Sequence, residues 1–494
     1  MNKFNVIIIG SGLGGLLCGY ILSKEGYSVC ILEKQPKAGG NLQTFMRSGC
    51  AFDTGVHYIG SLLPGQTLHT YWKYFGLTDK LSLRRMDTKG FDQISILDHD
   101  YYLAQGFDQF ISRLLEKFPK EERSLSDYIN QLQVISRSFP LYNLENLAAG
   151  SKDPYITAGA FRFFTSVTTD PMLSSVLAGN NFLFAGHPDK TPLHVAALIN
   201  HSFISSAWRL VGGSRQIADI LVKEIRSMGG EIYTSCSAED ISREKELFFV
   251  KPSKGELLQS EILISNIHPG VTLGMLDPSL VKESFRLRVV NLQNTISSFI
   301  LNLVLKPGSF PYLNHNVYYY DSPNVWTSET SRGSRWPENY LLYTPAHSAD
   351  DEFARSVIIL TYMDYSEVRE WENSAVGERG KKYEAFKHNR SDRLMKLVSA
   401  RFPSLPQSVV SMEASTPLTY RDYTGTPEGS MYGVQKDFND PLKTMLVPRT
   451  KIRNLFFTGQ NVGLHGMLGV TIGAIQTCGD ILGLDYLMTK IREH

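Results

Sequence analysis

The chain has few cysteines and almost no net charge, and both shortages exclude classes of protein. Its 494 residues include five cysteines, none in a C-x-x-C pair, so neither a disulfide framework nor a thiolate zinc site is expected. The 50 lysines and arginines balance 49 acidic residues. Because a nucleic-acid binder needs a basic excess to neutralise phosphates, no nucleic-acid partner is expected. The scarcity of cysteine favours a reducing compartment, and we predict a cytoplasmic protein.

Two long stretches lack charged residues altogether. One runs from Phe4 to Ser23, and the other runs from Asn454 to Gly479. Each is long enough to cross a bilayer, which takes about 20 apolar residues. Both stretches are rich in glycine, however, which destabilises an ordinary helix and allows the backbone to approach a ligand closely. We therefore interpret both stretches as ligand-binding segments and not as membrane spans.

The first charge-free stretch opens a dinucleotide-binding unit. The β-branched run of residues 4–9 predicts a buried strand, the G-x-G-x-x-G turn from Gly10 to Gly15 opens a helix, and a second strand ends at Glu33. In such a unit the start of the helix binds a pyrophosphate, and the acidic side chain accepts hydrogen bonds from a ribose. The residues predicted to bind the cofactor here are Gly10, Ser11, Gly12, Gly14, Gly15 and Glu33.

A pair of glycines follows soon after the ribose-binding acid. Lys34 and four more residues separate Glu33 from Gly39, Gly40 and Asn41. The G-x-G-x-x-G turn by itself does not distinguish FAD from NAD. At the glycine pair the backbone can approach a ligand closely for a second time. This spacing suits a cofactor with a longer tail, as FAD has. We predict FAD, with Lys34, Gly39, Gly40 and Asn41 among its contacts.

The E-x5-G-G extension resembles the flavin-binding signature of the phytoene desaturase and amine oxidase superfamily. Residues 52–60, FDTGVHYIG, are similar to the loop near the isoalloxazine in its retinol saturase and carotenoid isomerase branch. Residues 454–460, NLFFTGQ, predict a strand that enters a glycine turn, and residues 466–473 open the predicted last helix. The resemblance implies further cofactor contacts at the adenine, the pyrophosphate and the flavin edge, namely Ala238, Gly459, Leu468, Gly469 and Val470.

If both ends of the chain bind one FAD, the cofactor-binding domain must be discontinuous. We predict an α/β fold in which a Rossmann-like FAD-binding domain is interleaved with a mixed α+β substrate domain of helices and an antiparallel sheet. The FAD-binding domain is predicted to comprise residues 1–70, 205–290 and 440–494, and the substrate domain residues 71–204 and 291–439. Apolar periodicity predicts a helix near 107–115 and strands at 297–305, 316–320, 340–343 and 356–363.

The substrate domain contains a third region that is poor in charge. From Pro171 to Trp208 the only charged residues are Asp189 and Lys190. The simpler interpretation is a buried helical hairpin that turns at residues 186–192. The alternative is the apolar wall of a tunnel, or a surface that dips into lipid as a peripheral membrane contact. Nothing in the sequence indicates an oligomeric state.

Two histidines are the candidate catalytic residues. His57 lies in the loop of residues 52–60, and His465 lies in the closing glycine turn. Either could pass a proton, since imidazole titrates near neutral pH, although each could equally satisfy backbone groups in a tight turn. Tyr58 and Tyr432 are interpreted as packing residues. No metal site is predicted, because glycine and proline at 186–192 interrupt the helix that His187, His194 and His201 would need.

The resemblance implies a lipophilic polyene or isoprenoid substrate whose C=C bond is saturated, desaturated or isomerised by hydride transfer at N5 of the flavin. Burying about 400 Å² of such a substrate would contribute about 10 kcal/mol before association costs. Two alternatives stay open. One is a flavin amine oxidase on the same scaffold, although residues 416–433 are similar to the retinol saturases. The other is a non-enzymatic prenyl-lipid-binding protein of the GDP dissociation inhibitor type, which the intact glycine fingerprint disfavours.

Overall fold

The computed structural model describes residues 2–145, 155–330 and 333–494. Within these ranges the chain forms nineteen strands and sixteen α-helices. The strands are β1 (Asn2–Ile9), β2 (Val29–Leu32), β3 (Thr44–Arg47), β4 (Cys50–Asp53), β5 (Ile59–Gly60), β6 (Leu83–Arg85), β7 (Asp92–Ile96), β8 (His99–Leu103), β9 (Ala207–Leu210), β10 (Glu231–Tyr233), β11 (Ala238–Glu244), β12 (Leu247–Pro252), β13 (Leu258–Ser265), β14 (Ser297–Leu305), β15 (Asn316–Tyr320), β16 (Asn339–Tyr343), β17 (Ser356–Met363), β18 (Val409–Ser415) and β19 (Leu455–Phe457). The helices are α1 (Leu13–Lys24), α2 (Thr67–Tyr74), α3 (Phe107–Leu115), α4 (Glu122–Arg137), α5 (Ala160–Val167), α6 (Pro171–Leu177), α7 (Leu193–Ser205), α8 (Arg215–Ser227), α9 (Pro269–Met275), α10 (Glu283–Val290), α11 (Gly380–Ser399), α12 (Leu405–Ser408), α13 (Pro417–Thr424), α14 (Pro441–Thr444), α15 (Gly466–Leu482) and α16 (Leu484–Arg492).

The first large sheet joins segments that are distant in the sequence. Its order is β10-β2-β1-β13-β12-β11, and β19 pairs with the carboxyl end of β13. Strands β10, β2, β1, β13 and β19 are parallel to one another, and β12 and β11 are antiparallel additions at one edge. The apolar run Val6–Ile8 is fully buried, as expected of a parallel strand covered on both faces, and α1 packs against α8 and α15. The Rossmann-like, mixed α/β fold predicted from the sequence is confirmed.

The second large sheet contains the four strands that periodicity predicts. Its order is β18-β14-β17-β16-β15-β7-β8, and every pairing except that of β15 with β7 is antiparallel. Three of its strands, β7, β8 and β18, are absent from the prediction. Strand β14 is buried along its whole length between β17 and β18. The boundaries proposed for the two domains stay a prediction.

The helices include both confirmed and corrected predictions. Helix α3 occupies the predicted range, and α6 and α7 lie on either side of the predicted turn at residues 186–192. The helix that begins at Gly466 is not the last one, because α16 follows it after Gly483, whose φ of 94° favours glycine and ends α15. No helix in the described ranges is both long enough and apolar enough to span a membrane.

Candidate functional site

A cavity of about 380 Å³ opens at the carboxyl ends of the parallel strands. The residues that follow β1, β2, β13 and β19 all line it, which is where open α/β sheets bind their ligands. Fifteen of the predicted site residues lie on this cavity, namely Gly10, Gly12, Gly14, Glu33, Lys34, Gly39, Gly40, Asn41, His57, Ala238, Gly459, His465, Leu468, Gly469 and Val470. The fold therefore brings together residues from the start, the middle and the end of the chain.

Two of the predicted cofactor contacts, Ser11 and Gly15, do not line the cavity. Ser11 is fully buried and donates a hydrogen bond from Oγ to Glu33 Oε2 at 2.5 Å. Gly15 packs α1 against β1, and a Cβ atom at this position would overlap the carbonyl oxygen of Gly10. Both residues support the site from behind, and a direct contact of either with the cofactor stays a prediction.

The glycines form a tight cradle that suits a dinucleotide. A Cβ atom at Gly14 would stand 2.6 Å from Asn266 Oδ1 and 2.9 Å from the amide nitrogen of Gly459. The start of α1 therefore lies directly against the closing turn near the other end of the chain. Asn41 Oδ1 is buried and has no hydrogen-bond partner among the described residues. This set of free helix N–H groups and an unused acceptor fits the pyrophosphate and hydroxyl groups of FAD.

Glu33 is held in place by three hydrogen bonds. Its Oε2 accepts from the backbone and side chain of Ser11, and its Oε1 accepts from the Gln35 amide at 2.7 Å. The carboxylate is 6% exposed, and that exposed part faces the cavity. The glycine turn thus holds an acceptor where a ribose would lie. Glu33 Oε2 is within 3.1 Å of the Ser11 amide, although the two residues are 22 positions apart in the sequence.

The two candidate catalytic histidines both face the cavity. The Nδ1 atom of His57 lies 2.8 Å from Tyr343 Oη. The Nε2 atom of His465 lies 3.1 Å from the carbonyl oxygen of Leu183, and its ring packs on Tyr432 with the ring centroids 4.4 Å apart. Because this carbonyl can only accept, His465 carries its proton on Nε2 and leaves Nδ1 as an acceptor.

The expectation that these histidines titrate near neutral pH is wrong. Burial, together with the smaller effect of the nearby Arg209 guanidinium, lowers the pKa of His57 to about 4. Burial likewise lowers the pKa of His465 to about 4. Both imidazoles are therefore neutral at pH 7, and each can hold or orient a proton but is a poor source of one.

Helix α7 forms an apolar wall of the cavity. Leu198, Ile199 and Phe203 project into the cavity from this helix, and Leu183 and Leu464 line it nearby. The segment from Pro171 to Trp208 forms two helices, α6 and α7, and α5 packs against both of them. Its α7 part lines the cavity, which favours the apolar wall over the simple helical hairpin as the reason for its low charge. A membrane contact by this segment stays a prediction.

A buried polar network behind Tyr58 was not predicted. Asp92 Oδ2 accepts a hydrogen bond from Tyr58 Oη at 2.8 Å, and Asp92 Oδ1 accepts one from Asn316 Nδ2 at 2.7 Å. Tyr58 Oη also lies 2.9 Å from Tyr318 Oη. Tyr58 lines the cavity, so it connects this network to the site and is more than a packing residue. The only signal in the sequence is an acid at the start of strand β7, in which polar and apolar residues alternate after it.

A buried lysine beneath the closing glycine turn was also missed. Lys436 is 7% exposed, and its Nζ donates a hydrogen bond to the carbonyl oxygen of Asn461 at 2.8 Å. Asn461 itself lines the cavity beside Gly459. Burial lowers the pKa of Lys436 to about 8, so the side chain is largely cationic at neutral pH. It supplies positive potential to the part of the site where the closing turn meets α1.

We expect Asp92→Asn to change the pH dependence of stability. Burial raises the pKa of Asp92 to about 7, whereas an unfolded aspartate titrates near 3.9. Between these two pKa values the Asp92 carboxyl is protonated in the native state and ionised in the unfolded state. The free energy of unfolding of the parent therefore falls as the pH rises through this range. Between about pH 5.5 and about pH 8, the variant should gain about 2 kcal/mol in unfolding free energy relative to the parent.

Urea denaturation at the two pH values measures this effect. Asp98→Asn, in the exposed turn between β7 and β8, is the matched control and should follow the parent. If Asp92→Asn and the parent keep a constant difference in unfolding free energy at both pH values, the carboxyl does not titrate in this window.

Comparisons with known proteins agree with this architecture. The model of the NAD(P)-binding Rossmann-like domain matches residues 8–75. An all-trans-retinol 13,14-reductase from Macaca fascicularis is 27% identical over 97% of this chain and 86% of its own length. A 4,4'-diapolycopene oxygenase from a Methylomonas species is 24% identical over 93% of this chain and 94% of its own. The structure of cyclohexylamine oxidase from Brevibacterium oxydans superposes with a TM-score of 0.62 at 14% identity, covering 99% of each chain.

Proposed function

We propose that the chain is a member of the phytoene desaturase and amine oxidase superfamily and an FAD-dependent oxidoreductase acting on a C=C bond of a lipophilic polyene or isoprenoid. Saturation, desaturation and isomerisation are the three outcomes that this proposal covers. Two of the relatives are named as a retinol reductase and a diapolycopene oxygenase. These names support an elongated, apolar substrate.

The distribution of charge in the cavity carries the proposal. Of the described side chains that line it, only Glu33 and Lys34 are charged, and both belong to the nucleotide end. The end formed by α7 offers aliphatic and aromatic side chains instead, such as Ile199 and Phe203. An apolar substrate gains binding energy from such a surface in proportion to the area buried, whereas a cationic substrate finds no acid there.

The protein's own residues have distinct tasks in this proposal. When bound, FAD would supply hydride transfer, which the side chains of the protein cannot perform. Glu33 and the glycine cradle would hold its ribose and pyrophosphate. Neutral His57, fixed by Tyr343, would orient a proton at the substrate end of the cavity, and the α7 wall would exclude water from the reacting carbon atoms.

An amine oxidase is the second candidate, and the similarity of fold to cyclohexylamine oxidase favours it. At 14% identity this similarity describes the fold alone. Tyr420 and Tyr432 line the cavity and could form an aromatic site for an amine. The absence of an acidic side chain at that end, among the described lining residues, argues against a protonated amine.

The test is anaerobic incubation of the purified, FAD-loaded protein with candidate substrates. Oxidised and dithionite-reduced samples are mixed separately with retinoids, carotenes, unsaturated fatty acids and amines, and products are identified by mass and isomer analysis. We expect a polyene either to change in mass by two hydrogens, with one equivalent of flavin reduced or reoxidised, or to change in isomer composition with no net change in the redox state of the flavin. If only amines bleach the flavin, the polyene assignment is wrong; a protein that cannot bind FAD at all is not this enzyme.

A variant in the α7 wall sharpens this test. Ile199→Glu places a charge on the apolar surface of the cavity, which should raise KM for a polyene about 10-fold to 100-fold while FAD content stays unchanged. Val134→Glu, on the exposed face of α4, is the matched control because Val134 is 46% exposed. Equal KM values for Ile199→Glu and the parent would contradict binding along this wall.

A further inference from the structure

Arg209, a buried cation on β9, lacks hydrogen-bond partners for part of its guanidinium. It is 1% exposed, and its Nη2 donates to the carbonyl oxygen of His315 at 2.9 Å and to Asn316 Oδ1 at 3.0 Å. No described residue accepts a hydrogen bond from its Nε or Nη1. Because leaving a buried donor without an acceptor is costly, and more so on a charged group, two such nitrogen atoms on one guanidinium indicate a missing acceptor.

Arg209 lines a small chamber that adjoins the large cavity. The chamber has a volume of about 10 Å³, and Asp53, His57, Tyr58, Arg209 and Tyr343 are among the residues that line it. Val56, His57 and Tyr58 also line the large cavity, so these three residues lie between the two spaces. A cavity needs about 10–15 Å³ on this measure to hold one water molecule.

The protein side chains in the chamber do not supply the missing acceptor. Asp53 Oδ1 accepts two hydrogen bonds from Ser214, one from its amide and one from its hydroxyl, each 2.7 Å long, and neither oxygen of Asp53 accepts from Arg209 Nε or Nη1. Tyr343 Oη is engaged with His57 Nδ1 at 2.8 Å, and Arg209 lies over the Tyr343 ring at 5.6 Å from the ring centroid. The guanidinium thus stacks on the tyrosine while its Nε and Nη1 remain available to a small occupant.

We propose that this chamber binds one water-sized hydrogen-bond acceptor, and that Arg209, through this acceptor, is a positioning residue for the His57–Tyr343 pair. A water molecule and a halide ion share the required chemistry, since each is compact and accepts from two N–H groups. The occupant fills the space behind His57 and prevents its ring from turning away from the large cavity. This inference does not rest on the polyene chemistry, because the chamber lies outside the cavity that would hold cofactor and substrate.

Crystals of the FAD-loaded protein grown in chloride and in bromide test the binding site. We expect ordered density within hydrogen-bond distance of Arg209 Nε and Nη1 in both. An anomalous peak in bromide identifies a halide, and density without an anomalous peak identifies water; either result supports the site. An empty chamber at a resolution that shows other buried waters overturns it.

Variants of Arg209 test the positioning role. Arg209→Met removes every donor and should lose the density, whereas Arg209→Lys keeps a cationic donor and should retain it. In protein labelled with 15N-histidine, we expect the ring signals of His57 to shift in Arg209→Met and to return toward the parent values in Arg209→Lys, with assignment by His57→Asn. Arg84→Met is the matched control, because Arg84 is the register partner of Arg209 in β6 and does not line the chamber.

The two parts of the proposal can fail separately. Unchanged His57 signals in an Arg209→Met protein whose chamber is empty would overturn the positioning role. If Arg209→Met does not fold, Arg209→Gln takes its place in both measurements, and the chloride and bromide crystals of the parent decide the binding site by themselves.

Discussion

Gly15→Ala should abolish cofactor binding although Gly15 does not touch the cavity. The added Cβ atom would overlap the carbonyl oxygen of Gly10 and press on Asn266, whose nearest side-chain atoms lie 3.2 Å away. Neither contact can yield easily, because Gly10 belongs to the turn that ends β1 and Asn266 directly follows β13. Helix α1 must therefore move away from the sheet, which displaces the N–H groups that would bind the pyrophosphate.

We expect a loss of about 3 kcal/mol in unfolding free energy and a fall in FAD content to less than about a tenth of the parent value. Flavin absorbance per mole of protein and urea denaturation measure the two effects. Gly274→Ala is the matched control, since Gly274 lies in α9 and a Cβ atom there meets nothing within 4 Å. This control should be neutral or slightly stabilising, because alanine favours helix over glycine. Normal flavin content in Gly15→Ala would contradict the close packing of α1.

Glu33→Ala should weaken FAD binding about 100-fold to 1,000-fold. The substitution removes the acceptor for a ribose and leaves the Ser11 and Gln35 donors without their carboxylate. Hydrogen bonds to a charged group contribute about 1.5–3 kcal/mol each, so losing those to a ribose diol costs about 3–4 kcal/mol of binding free energy. The Kd is measured by titrating the apoprotein with FAD and monitoring the quenching of flavin fluorescence.

Glu33→Gln separates the charge from the shape of this side chain. The amide keeps one oxygen acceptor at the same place, so we expect a Kd between those of the parent and Glu33→Ala. If Glu33→Ala binds FAD as tightly as the parent, the carboxylate serves only to hold Ser11 and the glycine turn. The ribose would then be held elsewhere in the cavity.

The cofactor end of the site was predictable because its chemistry depends on local spacing. A strand, a glycine turn, a helix and an acid within the first 33 residues leave few other arrangements, and α1 begins one residue after Gly12 as that pattern requires. The closing turn could be joined to it only through the resemblance, since no local rule states that Gly14 lies against Gly459.

The buried charges were not predictable in the same way. Asp92, Arg209 and Lys436 are ordinary polar residues in the sequence, and their burial depends on strands and turns from other parts of the chain. The same cause explains the error about His57 and His465, because desolvation by tertiary packing, and not residue type, sets the pKa of each imidazole. Strands β7 (DQISI) and β8 (HDYYL) were missed because both begin with polar or charged residues, whereas the predicted strands β15 and β16 are of the same length but rich in tyrosine, valine and leucine.

The pairing of β13 with both β1 and β19 has a consequence for synthesis of the protein. A ribosome that adds about 5–20 residues per second completes the turn at Gly459 roughly 20–90 s after the turn at Gly15. Until then the nascent chain holds only part of the cradle, with the carboxyl end of β13 unpaired on the side where β19 will add. The cofactor can therefore bind only late in synthesis. The flavin content of a preparation then measures the fraction of chains that are complete and have formed the whole glycine cradle.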